Sequence, residues 1–479
     1  MPGLVKDRFR PLGCSTICHD QSAGPLVEFN PMPNLFSAGA STIDWTPKRS
    51  VYLAGYPHVQ RDSTGTHDPL LASAMCLSDG EQTTALAAVD VLFITHAMAG
   101  RIRARLEAEL GLPPTHVLIA ATHTHSGPKT TRYITDNGDP TIPAVDEQIV
   151  QQCEDAVVKA VREAHASMVE AEAAMVVADA TGIGGNRRDP DGPTDPEAPL
   201  LVLRRASDQQ PIAAMTVYGM HPTVLHEDST LFSGDFPAYT RQYLQQHWLG
   251  EDTPVLYFTG VAGNQSPRHV TQANTFAEAQ RLGEMLGERL LQAAKDLEWR
   301  AELPVSCQSS QLQLPARRLP ELDEAERRLT ASAERFESLR QQGAPRPKVR
   351  TAEVDWFGAQ RTLNLTRAAA EGGMQAAIDM RSPTEIQLIT VGPWTFIAWP
   401  GEVFVEFGLK VKARHANVQL ITYANGENGG YLVTREAVDE GGYEATSALF
   451  QSPDGGDALV AATLEQLESI SSKQAKQST

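Results

Sequence analysis

The sequence predicts an α/β protein in which mixed β-sheets are flanked by helices, with a helical hairpin inserted around residues 319–371. Three observations carry this. Short apolar runs alternate with stretches of helical period. The runs end in loops rich in Gly, Pro and polar residues, as strands of α/β proteins do. One segment, 319–371, interrupts the alternation with two charged helical stretches.

Along the chain, residues 1–49 read as an N-terminal extension packed on the core, ahead of the main body over 50–470. Ala85 to Ile94 reads as a buried strand. Val117 to Ala121 is another, and it runs into Thr122-His123-Thr124-His125-Ser126-Gly127-Pro128. Val255 to Thr259 precedes Gly260-Val261-Ala262-Gly263-Asn264-Gln265-Ser266-Pro267. Residues 276–297 place Leu282, Leu286 and Leu290 at helical spacing, with Met285 and Ala293 beside them. In the insertion, Leu322, Leu329 and Phe336 recur at heptad spacing, and Gly343-Ala344-Pro345-Arg346-Pro347 separates the two helices. This hairpin reads as a solvated insertion with one apolar stripe packed down, or as a lid or homo-oligomer contact. Thr395 to Trp399 leads to Pro400-Gly401-Glu402, and Val418 to Tyr423 leads to Ala424-Asn425-Gly426-Glu427-Asn428-Gly429-Gly430-Tyr431. The residues from 471 to 479 are polar and predict a disordered tail.

A chain of 479 residues, 41% hydrophobic and 21% charged, has ample side chain for a core. Its formal charge of −18 and the absence of a basic run argue against a nucleic-acid partner or an anionic membrane surface. No apolar core of a signal peptide follows Met1–Arg10, and no run has the length of a membrane span, so a cytoplasmic location without stable membrane association is expected. Cys14, Cys18, Cys76, Cys153 and Cys307 lack the regular spacing of a disulfide framework. Cys14 and Cys18 with His19 have the wrong spacing for a zinc knuckle and read as incidental.

The chemistry starts at His123 and His125. Side chains two apart on an extended chain point the same way, so both imidazoles can face one site. A catalytic zinc takes about three protein ligands and leaves a position for water. The pair alone fits such a centre and fits two polar residues at a strand edge equally well.

Further motifs follow in a fixed order. Upstream stand Ala54-Gly55-Tyr56 and Gly65-Thr66-His67-Asp68-Pro69-Leu70; downstream come Asn186-Arg187-Arg188 and Gly219-Met220-His221-Pro222-Thr223. Ala262–Pro267, Pro400-Gly401-Glu402, Gly430-Tyr431-Leu432-Val433-Thr434-Arg435-Glu436 and Gly442-Tyr443-Glu444 complete the set. Together, over about residues 50–465, they resemble the catalytic domain of the neutral/alkaline non-lysosomal ceramidase family. The resemblance implies Zn2+ bound by His123, His221, Glu402 and Tyr431, with His125 beside the scissile carbonyl as a proton carrier. Arg187, Ser266 and Tyr443 would line the pocket. Ser266 reads as a nucleophile or a positioning group; no base stands beside it in sequence, which favours positioning. The implied activity is hydrolysis of an amide C–N bond by a metal-activated water.

Each residue also has a plain reading when taken singly. His221 can be a core histidine bonded to a carbonyl, and Glu402 a charge at a helix N-terminus. Tyr431 and Tyr443 can be packing aromatics, and Arg187 an ion-pair member. Neither the family's secretion signal nor its C-terminal β-sandwich is expected from this sequence, and Lys129 and Thr130 stand where a glycine pair is common. These departures favour a small soluble N-acyl substrate over ceramide in a bilayer. A zinc esterase or lactonase on the same site, and a non-catalytic binding protein with a relic site, are the alternatives.

Overall fold

The computed structural model describes residues 35–133, 136, 139–450 and 453–477. Eight strands form the larger sheet: β1 (Ser37–Asp44), β2 (Leu71–Ser78), β3 (Thr83–Val89), β4 (Val117–Ala121), β5 (Val169–Asp179), β6 (Glu197–Arg205), β7 (Pro211–Tyr218) and β8 (Val255–Thr259). Their order is β8-β7-β6-β5-β1-β2-β3-β4. The edge pairs β7–β8 and β3–β4 are parallel, and the inner pairs are antiparallel. A second sheet has the order β9 (Val305–Leu312), β10 (Thr384–Val391), β11 (Trp394–Ala398), β12 (Val418–Ile421), with β11–β12 parallel.

The strands are apolar on both faces because both faces are covered. In β3, Leu86 and Ala88 point into a core shared with Leu118, Ile389, Phe396 and Ile421, so the two sheets pack on each other. The alternate residues Ala85, Ala87 and Val89 face α1 (His96–Leu110) and α2 (Glu147–Ala166). The far half of the large sheet is covered by α3 (Phe236–Leu244) and α4 (Phe276–Ala293), where Leu282, Leu286 and Leu290 are fully buried as their spacing predicts. The outer face of the small sheet is covered in part by Phe407 and Val411 of a later helix. The result is four layers, helix–sheet–sheet–helix.

Two departures from the sequence reading have local causes. The stretch expected as an extension supplies an interior strand from Ser37 on. Its small residues hide it from hydrophobic periodicity, yet they let α2 close in: a Cβ on Gly39 would sit 2.2 Å from the Ala164 carbonyl. The strand expected to reach Ile94 stops at Val89, because Asp90 turns inward and binds Arg241 at 2.8 Å.

The insertion is the expected hairpin, α5 (Leu322–Gln341) and α6 (Arg346–Ala370). Its stripe is looser than the spacing suggests: Leu322 is 40% exposed, and Phe336 stacks on Trp356 of the neighbouring helix at 5.8 Å. The last helix runs from Asp454 to Gln477, through most of the segment expected as a disordered tail. Cys14, Cys18 and His19 lie outside the described residues. No helix among the described residues is long and apolar enough to cross a membrane.

Candidate active site

Loops leaving the C-terminal ends of β4, β7, β8, β11 and β12 meet at one place, the usual location for sites in α/β sheets. The β4 loop brings His123 and His125, but by a different geometry from the extended pair. The chain leaves the strand at Ala121, and His123 takes a left-handed φ of 66°. The two rings end 5.0 Å apart and perpendicular, at 89°. Tyr423, itself at φ 57°, stacks on His123 at 3.9 Å. Such backbone costs of order 1 kcal/mol per residue and concentrates at functional sites.

His123 is buried, and its Nδ1 lies 2.8 Å from the Leu92 carbonyl. His221 is buried, with Nδ1 2.6 Å from the Ala262 carbonyl and 3.1 Å from that of Gln265. A carbonyl only accepts, so both rings carry their proton on Nδ1 and present a bare Nε2. Burial, first of all, pushes both imidazoles down to about 3, so both are neutral at pH 7. Their Nε2 atoms then face the Glu402 carboxylate, at 3.1 Å from His221 and 3.7 Å from His123. Lone pair faces carboxylate, an arrangement that a bound cation satisfies.

His123, His125 and His221 place nitrogens within 4.8 Å of one another and can hold a metal ion. His125 is held differently from the other two. Both of its ring nitrogens are buried without a hydrogen-bond partner among the described residues. Its backbone is fixed instead: Arg61, fully buried, donates to the His125 carbonyl at 2.9 Å and to the Ala54 carbonyl at 3.2 Å. Tyr56 packs against the ring at 5.2 Å, and Gly55 leaves it room, since a Cβ there would lie 2.3 Å from His125 Nδ1.

Glu402 pairs across a short parallel bridge with Tyr431, which puts carboxylate and phenol side by side. Burial, then Glu402, holds the Tyr431 phenol well above its ordinary range. Arg187 lies over the Tyr431 ring at 5.4 Å and donates from Nε to Glu444 at 2.8 Å; its Nη2 is buried without a partner among the described residues. The ion pair of Arg187 is with Glu444. Gly185–Asn186 pairs with Gln265–Ser266, bringing Arg187 and Ser266 to the same wall. Ser266 is buried, and its Oγ accepts the Arg268 amide at 3.3 Å. Tyr443 packs 5.9 Å from Tyr431 at the start of a helical turn.

Two spaces open on this group. An outer cleft of about 1610 Å³ is walled on one side by α6 and the end of α5, and is lined by Arg187, Arg188, Arg268, Arg350, Glu227 and Asp355 among others. An inner cavity of about 70 Å³ lies against His123, Glu402, Tyr133, Lys129 and Arg361. His125, Tyr431 and Tyr443 border both. All eight site residues predicted from sequence thus border these spaces or the cluster between them. Four that shape the site were not singled out: Arg61, Tyr423, Gly55 and Arg361. Gly55 stood in a quoted motif and Tyr423 at the end of a quoted apolar run; Arg61 and Arg361 carry no local signal.

Neutral imidazoles converging with a carboxylate at the strand ends define an α/β protein with a site able to hold a metal ion. Residues 36–268 match the family model described as neutral/alkaline non-lysosomal ceramidase, N-terminal. The match indicates a hydrolase acting on amide bonds. It includes His123, His125, Arg187, His221 and Ser266 and ends before Glu402, Tyr431 and Tyr443. The fold is similar to the crystal structure of neutral ceramidase from Pseudomonas aeruginosa, with a TM-score of 0.66, 19% identity, 89% of this chain covered and 72% of that one. A structure described as ceramidase complexed with C2 gives a TM-score of 0.66 at 19% identity, covering 89% of this chain and 73% of that one. At that identity the likeness speaks for the fold. No curated protein matches by sequence.

Proposed function

We propose that the protein is a zinc-dependent hydrolase that cleaves the amide C–N bond of a small soluble N-acyl substrate. The observation that carries this is the pair of bare Nε2 atoms on His123 and His221 facing Glu402, each ring locked through Nδ1 by a backbone carbonyl. These three groups and Tyr431 are the metal ligands in this reading. A zinc ion there supplies Lewis acidity, lowering the pKa of a water towards about 7 and polarising a carbonyl.

The chain's own groups do the rest. His125, neutral and free at both nitrogens, takes a proton from the attacking water and returns it to the leaving nitrogen. The water oxygen bonds to the carbonyl carbon as the C–N bond breaks. The unpaired Arg187 Nη2 and the Tyr443 hydroxyl donate to the substrate carbonyl oxygen. Ser266 positions the substrate at the cleft wall, where its Oγ is bound to an amide rather than to a base. The charged lining of the cleft favours a polar substrate over a lipid tail.

The test is a hydrolysis panel of short N-acyl amides, p-nitrophenyl esters and lactones on the zinc-loaded protein. Amide cleavage that disappears on chelation and returns with zinc supports the reading. Cleavage of lactones with no amide turnover would transfer the function to a lactonase on the same site.

A further inference from the structure

We infer that Arg361 makes the inner cavity a binding site for a small carboxylate, so that the preferred amide substrate is an anion. This rests on the hydrolase reading only for the word substrate; the anion site stands on its own geometry.

Two charges lining the inner cavity lack an opposite charge in contact: Glu402, which faces the neutral imidazoles, and Arg361. Lys129 binds Asp136 at 2.8 Å and Arg381 binds Glu427 at 2.6 Å. On the cleft side, Arg187 binds Glu444 at 2.8 Å. Arg361, on α6, borders the same cavity as His123 and Glu402, and its guanidinium lies 5.2 Å over the Tyr443 ring. It has no hydrogen-bond or ion-pair partner among the described residues. Asp136 is near enough for its charge to be felt, but its Oδ2 is bound to Lys129. With Glu402 directed at the two imidazoles, the partly buried Arg361 guanidinium has no carboxylate in contact, and such a group is costly unless an anion meets it.

Size narrows the class. A cavity of about 70 Å³ holds roughly two waters at about 30 Å³ each, the space of a carboxylate carried on one further atom. A planar guanidinium matches a carboxylate in a fork of two hydrogen bonds. The outer cleft then takes the bulkier remainder of the molecule. The insertion is, in this account, the specificity element of the site: it delivers Arg361 to the small side and walls the large side.

Calorimetric titration of N-acetylglycine and of its uncharged isostere N-acetylglycinamide tests the inference, on the zinc-loaded protein and after chelation. A charge-assisted hydrogen bond predicts at least about tenfold tighter binding of the carboxylate. That preference persists without zinc, is lost in Arg361→Gln and is partly kept in Arg361→Lys, which retains the charge if the glutamine variant folds poorly. Equal binding of both probes by the wild-type protein overturns the inference. So does a preference that survives Arg361→Gln, or one that vanishes on chelation, which would place the carboxylate on the metal. Failure to hydrolyse any amide counts against the hydrolase reading alone, because the titration needs no turnover.

Discussion

Replacing Gly55 with alanine separates the two histidines of the β4 loop. The new Cβ would lie 2.3 Å from His125 Nδ1 and 2.7 Å from its Cγ, while ordinary contact begins near 3.4 Å, so the ring must move by about 1 Å. His123 and His221 are anchored elsewhere, through Leu92 and Ala262, and do not share this contact. A displacement of that size at a proton-transfer group costs about 100-fold in kcat, or about 2.7 kcal/mol of barrier. The alanine also meets a backbone φ of 111°, which lowers stability by about 1–3 kcal/mol. The assay pairs kcat on a short N-acyl amide with zinc content after dialysis and thermal unfolding. The expected result is a large loss of turnover with zinc retained. Loss of zinc together with turnover would put His125 among the ligands and refute the division of roles.

Three further outcomes follow from the packing. Asp90→Asn leaves the buried Arg241 guanidinium without its counter-charge and lowers unfolding stability by about 3–5 kcal/mol in urea titration; a loss under 1 kcal/mol would show that the pair contributes little. The Tyr423 hydroxyl is buried without a partner among the described residues, so Tyr423→Phe keeps the stack on His123 and leaves stability unchanged or raised by about 1 kcal/mol, measured the same way; a clear loss would contradict this. Burial pushes His96 down to about 4, so the unfolded chain takes up a proton near 6.5 that the folded chain refuses until about 4. Stability therefore falls as pH drops through that window, by up to about 3 kcal/mol from this group, and His96→Gln shows a correspondingly shallower loss in urea unfolding at pH 7, 5 and 4. Equal slopes for the two proteins would refute it.

What was legible in the sequence depended on local signals. The strands at Val117–Ala121 and Val255–Thr259 match because their apolar runs are uninterrupted and both sheet faces are covered. The strand at Ser37–Asp44 was missed because its small residues were chosen by the approach of a helix more than a hundred residues away. His123 and His125 were found for a reason that does not hold, since a left-handed turn rather than an extended strand aims them. Glu402 beside Tyr431 reflects a bridge between two loops, and no periodicity reports such a pairing. Arg61 and Arg361 act through backbone carbonyls and an unpaired charge, which are properties of the folded site alone. Motif order supplied what periodicity lacked, because spacing along the chain records which loops meet.

The ligand assignment is tested most directly by zinc stoichiometry measured alongside amide hydrolysis in His221→Ala and Glu402→Ala. The account predicts stoichiometric zinc and turnover in the wild-type protein and the joint loss of both in each variant, with folding intact by circular dichroism. Turnover in a variant stripped of zinc, or stoichiometric zinc retained by both variants, would contradict it.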